Sequence, residues 1–137
     1  MKDRLIIAKI TEYVKRVGRI YENIKSLDEM DILERDDSFA LTQYLTNIHS
    51  LFSNVTSDEI ALKQIELGIR ALHTCRNISA HDYDALDWSR VKQLCRKLTS
   101  ENSAALLQKC LEIAMRDEQA MKNYAEDTNE GISRANT

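Results

Sequence analysis

Proline is absent from the 137 residues and only three are glycine, so the chain offers few of the residues that fix sharp turns. A fold built on many tight turns is excluded. Positive charge is not in excess either: 19 lysines and arginines against 22 aspartates and glutamates leave a net charge of −3, with a pI near 5.6. That excludes the broad positive field on which nucleic-acid binders commonly rely, and any polyanion must be gripped by a local basic patch. Cysteine is scarce as well. Cys75, Cys95 and Cys110 are odd in number, far apart and set in apolar patterns, which suits buried thiols in a reducing cytosol better than a disulfide framework. No hydrophobic run approaches membrane-spanning length, and the apolar patch near the N-terminus is too brief for a signal peptide. The expectation is a cytoplasmic, soluble protein with no membrane association.

What the chain does have is helix-forming residues in helical period. From Arg4 to about Lys25, Ile6, Ile10, Tyr13, Val17, Ile20, Ile24 and Leu27 alternate steps of four and three, a narrow seam of the kind that packs in a bundle. Ser26-Leu27-Asp28-Glu29 has the form of a capping box, and a break between helices is expected between Met30 and Asp37. A second helix starts at Ser38 and runs through Leu41, Tyr44, Leu45, Ile48 and Phe52. The third is expected to start at Thr56 or Ser57, with Asp58 and Glu59 against the positive end of its dipole. Its stripe would run through Ala61 or Leu62, Ile65, Gly68 or Ile69, Leu72 and Cys75, with Gly68 inside the helix allowing another helix to come close. Asp87 caps a fourth helix from Trp88 to Leu98, which holds the densest basic cluster. A fifth follows Ser100-Glu101-Asn102-Ser103 and ends near Tyr124. The reading is an all-α, up-and-down bundle of four to five helices: one domain over residues 1–124 and a polar, flexible tail over 125–137.

Chemistry concentrates at the end of the third helix, in Arg76-Asn77-Ile78-Ser79-Ala80-His81-Asp82-Tyr83. A permanent cation, a group that titrates near neutral pH and a phenol stand within eight positions. On a regular helix Arg76 and His81 are offset by about 140°, so they converge only if the helix ends between them or the arginine reaches around. His73 and His81 are about 12 Å apart along the axis, too far to share one ion, and no other histidine or cysteine completes a zinc spacing, so no metal is expected. Cys75 lies on the presumed apolar stripe, and Ser79 has no evident base and orienter. No glycine loop suited to phosphate is present, and no cofactor is implied. Without metal, such a set suits RNA transesterification, with histidine moving the proton and arginine stabilising charge on the phosphate. Two sets in one cleft would serve better than one, which a symmetric homodimer supplies.

These residues resemble a known family. Arg76-Asn77-x-x-x-His81 matches the Arg-x4-6-His signature of the HEPN superfamily of helical ribonucleases, and Asp82-Tyr83 extends it to the Arg-x4-His-x-Tyr form of HepT-like toxins. The resemblance covers roughly residues 3–120. It implies a HEPN-like bundle, a metal-independent endoribonuclease toxin of a toxin–antitoxin module, and a minimal nucleotidyltransferase antitoxin as partner. It makes Arg76 and His81 the catalytic pair, Asn77 a supporting polar residue and Tyr83 the target of adenylylation. With the acidic overall balance, RNA affinity falls to Arg70, Arg90, Lys92, Arg96 and Lys97 besides Arg76.

Two other readings stand beside it. The chain could be a non-catalytic helical partner that presents substrate or a tyrosine to the nucleotidyltransferase. It could also be a helical dimerisation module, with Arg76 paired to Asp82 or Asp84, His81 capping the helix and Tyr83 a half-buried ring.

Overall fold

The computed structural model describes residues 2–68 and 86–135, with side chains described through residue 128. Six α-helices account for nearly all of the described residues, and no strand occurs among them. The all-α expectation is met.

Helix α1, Asp3–Ile24, forms along the isoleucine-rich seam. Ile6, Ile7, Ile10, Val17, Ile20 and Ile24 are buried, and Tyr13 is half-buried on the same side. The seam is one residue wider than the sequence pattern, because Ile7 is fully buried beside Ile6. Helix α3, Asp36–Phe52, lays Leu41, Leu45, Ile48 and Phe52 against it, each at most 1 % exposed. Helix α6, Glu101–Ala135, and helix α5, Trp88–Leu98, close the same core with Leu107, Cys110, Ile113 and Ala114 and with Trp88, Val91, Leu94, Cys95 and Leu98. Cys95 and Cys110 are the buried thiols expected, and burial pushes the Cys110 thiol up. Cys75 lies outside the described residues.

Polar contacts fix the directions of the helices. At the start of α1 the Asp3 carboxylate accepts from the Thr56 and Ser57 amides, at 2.9 and 3.0 Å, so α1 begins where α3 has just ended. Lys2 and Arg4 donate to Glu118 of α6, while Gly18 near the other end of α1 faces Thr99 just before α6. Both α3 and α6 therefore run antiparallel to α1. Helix α4, Asp58–Leu67, also opposes α6: Arg116 meets Glu59 at its start, and Lys97 lies over Gly68 at its end.

Four sequence expectations need correction. First, the cap before α2, Glu29–Leu33, is Asp28, whose carboxylate accepts from the Asp31 amide at 2.9 Å. Ser26 stands in the closing turn of α1, where the Leu27 amide still bonds the Ile24 carbonyl, so it is spent before the next helix begins. The break expected over Met30 to Asp37 narrows to Glu34 and Arg35, and α3 starts at Asp36. Second, Gly68 does not sit inside a helix. It ends α4 in the left-handed region, at φ 74°, with its amide returning to the Gln64 and Ile65 carbonyls, the usual employment of glycine at a helix C-terminus. Third, the buried positions of α4 are Ile60 and Leu67, whereas Leu62 and Ile65 are 66 % and 54 % exposed. The helix is turned by about 100° to 200° from the predicted stripe, with Ile60 and Leu67, seven positions apart, as its inner face. Fourth, the segment expected to be a frayed tail continues α6 to Ala135. Lack of an apolar stripe does not forbid a helix, and alanine, methionine, lysine and glutamate without proline favour one.

The remaining starts agree with the sequence. Ser57 Oγ accepts from the Ile60 amide and Asp87 from the Arg90 amide, both at 3.3 Å. Helix α5 occupies the range expected of it. Buried hydroxyls are satisfied locally: Ser38 donates to the Ile32 carbonyl, joining α2 to α3, and Ser103 to the Lys97 carbonyl, joining α5 to α6.

Candidate functional site

The motif stretch falls between two described boundaries. Arg70, Arg76, Asn77, His81 and Tyr83, with His73, lie outside the described residues. Before them stands Gly68 at the end of α4; after them stand Leu86, buried in the core, and Asp87, the cap of α5. Lys97, in the last turn of α5, lies against the first of these boundaries. A methyl group added at Gly68 would meet the Lys97 ammonium and the end of its alkyl chain at 3.0 to 3.1 Å. The last turn of α5 thus packs over the point where the chain enters the stretch.

Helix α5 carries four of the cations singled out in the sequence, and they differ in what they do. Arg96 and Lys97 are exposed in its last turn, where the negative end of the helix dipole favours cations. Arg90 is exposed at the other end and lies 3.4 Å from Asp87, an open contact worth little in water. Lys92 is half-buried, and its ammonium donates to the Leu27 carbonyl, tying α5 to the turn between α1 and α2. Three of the four are exposed, and the fourth braces the bundle.

Comparison of the chain with family models, with curated proteins and with solved structures finds no match.

Two further features escaped the sequence pattern. On the α1–α3 face, Tyr13 and Tyr44 stack with ring centroids 5.5 Å apart, and the Arg16 guanidinium lies over both rings at 5.7 and 5.6 Å. The Tyr44 hydroxyl beside it holds the Arg16 pKa above its ordinary value, and the contact with both rings links α1 to α3. Lys9, Tyr13 and Arg16 at steps of four and three were a visible signal; Tyr44, 28 positions after Arg16, was not. On the opposite side a groove of about 530 Å³ runs between α1 and α6. It is lined mainly by small and aliphatic residues, which leave no chemical signature in a sequence. His49 sits half-buried in the last turn of α3. Among the described residues no group of three or more histidines, cysteines, aspartates or glutamates is placed to hold a metal ion, and no helix is long and apolar enough to cross a membrane.

Proposed function

We propose that the chain is a metal-independent endoribonuclease of the HEPN type, acting as a HepT-like toxin whose antitoxin is a minimal nucleotidyltransferase. The observation that carries the reading is the Arg76-Asn77-x-x-x-His81-x-Tyr83 spacing in an all-helical, proline-free chain. The fold is compatible with it: Lys97 lies against Gly68, after which the chain enters the stretch, and the exposed Arg96 and Lys97 would add affinity for RNA phosphates. In this reaction His81 takes the proton from a ribose 2′-hydroxyl, that oxygen attacks the adjacent phosphorus, and the bond from phosphorus to the 5′-oxygen breaks. A second histidine, from a partner copy in the same cleft, returns a proton to the leaving oxygen. Arg76 stabilises the charge that builds on the phosphate, and Asn77 supports it by hydrogen bonding. Adenylylation of Tyr83 would place bulk and negative charge in that cleft and silence it.

Expression of the chain without its partner is expected to arrest growth, and Arg76→Ala or His81→Ala to abolish the arrest. Arrest that survives both substitutions would refute the nuclease. If the purified chain leaves RNA intact while Tyr83 is still adenylylated by the nucleotidyltransferase, the chain is that enzyme's non-catalytic partner instead.

A further inference from the structure

The seam between α1 and α3 is closed at one end and open at the other. Around Tyr13, Tyr44 and Arg16 the two helices meet through rings and guanidinium. Toward the start of α1 and the end of α3 lie two hollows of about 230 and 310 Å³, and both are bordered by Leu51 and Asn54, so they form one cleft. Lys9 and Tyr13 of α1 stand on one side of the first hollow, and Asn47, Ser50 and Asn54 of α3 on the other. Polar side chains line a seam where paired helices ordinarily set apolar ones.

Most charges near this cleft are already satisfied. On α1 the Glu12 carboxylate lies 3.5 Å from Arg16, and that of Asp3 accepts from the Thr56 and Ser57 amides. The carbonyls that close α3 are satisfied as well. Those of His49 and Leu51 accept from backbone amides, that of Ser50 from the Ser53 and Asn54 side chains, and that of Phe52 from the Val55 amide and Gln64. Nothing there is left open for a cation. Lys9 is different: it is exposed, its ammonium stands 6.0 Å from the centre of the Tyr13 ring, and it enters no ion pair among the described residues. An ammonium beside the Asn47 amide and the Ser50 hydroxyl, with the neighbouring carboxylates engaged elsewhere, is a donor set for an oxyanion.

We propose that this cleft binds a small organic oxyanion, a phosphate monoester or a carboxylate, with its charged head at Lys9, Asn47 and Ser50. The body of the ligand extends into the second hollow, where Ile6 and Leu51 supply apolar surface and Thr56 a polar end. Cavities of this order hold small metabolites. The site lies on α1 and α3, apart from the Arg76 to Tyr83 stretch, and it does not rest on the nuclease reading.

Amide chemical shifts of the isotope-labelled full chain test it, with inorganic phosphate, ribose 5-phosphate and succinate as probes. Saturable shifts are expected at Lys9, Asn47, Ser50 and Asn54, with a Kd of about 1 mM or tighter for one of the two organic probes and weaker binding of inorganic phosphate. Preference for ribose 5-phosphate over succinate assigns a phosphate head, and the reverse order a carboxylate. Lys9→Met and Asn47→Asp, both at exposed positions, are each expected to weaken binding about tenfold or more while the helical circular dichroism is kept. Absence of saturable shifts with all three probes, or binding unchanged in Lys9→Met, would overturn the proposal. No RNA enters the measurement and Arg76 and His81 are untouched, so either result leaves the nuclease reading to its own test.

Discussion

The two halves of α6 have the same backbone form and opposite surroundings. From Glu101 to Glu118 the helix buries Leu107, Cys110, Ile113 and Ala114 against α1, α4 and α5; along the arm from 119 to 128 every side chain is exposed. In the first half, tertiary packing pins the helix, and hydrophobic burial of about 25 cal/mol per Å² does the stabilising. In the second, only propensity and i,i+4 contacts such as Gln119 with Asn123 act. The lesson is that propensity carries a helix past the point where its packing ends.

The contrast predicts very different sensitivities. Phe52→Ala, which empties the largest fully buried side chain of the core, is expected to cost about 3 to 5 kcal/mol, while Asn123→Ala on the arm stays within about 0.5 kcal/mol. Urea titration monitored by circular dichroism measures both, and equal costs would erase the distinction between body and arm. Gly68→Ala comes next. A side chain there is forced into the left-handed region and against Lys97, so a loss of about 1 to 2 kcal/mol is expected; a neutral result would show that α4 does not end as described. Removal of the caps follows, with Ser57→Ala and Asp87→Ala each lowering stability by about 1 kcal/mol and therefore lowering the thermal midpoint by a few degrees.

The smallest effect belongs to the exposed ion pairs that join the body's edges. Hydrogen bonds from Arg4 hold the Glu118 carboxyl below its ordinary pKa, and Arg116 does the same for Glu59. A depressed carboxylate contributes stability above its unfolded pKa, near 4.3, and loses it as the pH falls through the lower folded value. A slight drop in thermal midpoint is therefore expected as the pH falls below about 4, diminished in Glu118→Gln and in high salt. A drop unchanged in that variant would assign the acid sensitivity to other groups.

Much of the body was legible. The isoleucine seam gave α1 within a residue or two, and the Asp87 cap with Val91, Leu94 and Leu98 gave α5. Gly68 misled because a glycine in an apolar stripe has the same appearance whether it allows close helix packing or ends the helix; the φ of 74° decides. Leu62 and Ile65 misled because period alone does not say which of two apolar faces meets the core. From Ala125 onward the arm was read as a tail because polarity was taken for disorder, although nothing in 125–128 breaks a helix. Of the candidate site, Arg90, Lys92, Arg96 and Lys97 stand on the helix expected for them, and only the contact from Lys92 to the Leu27 carbonyl could not be foreseen, since 65 positions separate the two. Arg70, Arg76, Asn77, His81 and Tyr83 are known from sequence alone.

The most direct test is cleavage of single-stranded RNA by the purified full chain in the presence of EDTA, beside Arg76→Ala and His81→Ala. The unaltered chain is predicted to cut and leave 2′,3′-cyclic phosphate ends, with the rate falling about a hundredfold or more in each variant. RNA left intact by the unaltered chain, or cut as fast by both variants, would contradict it.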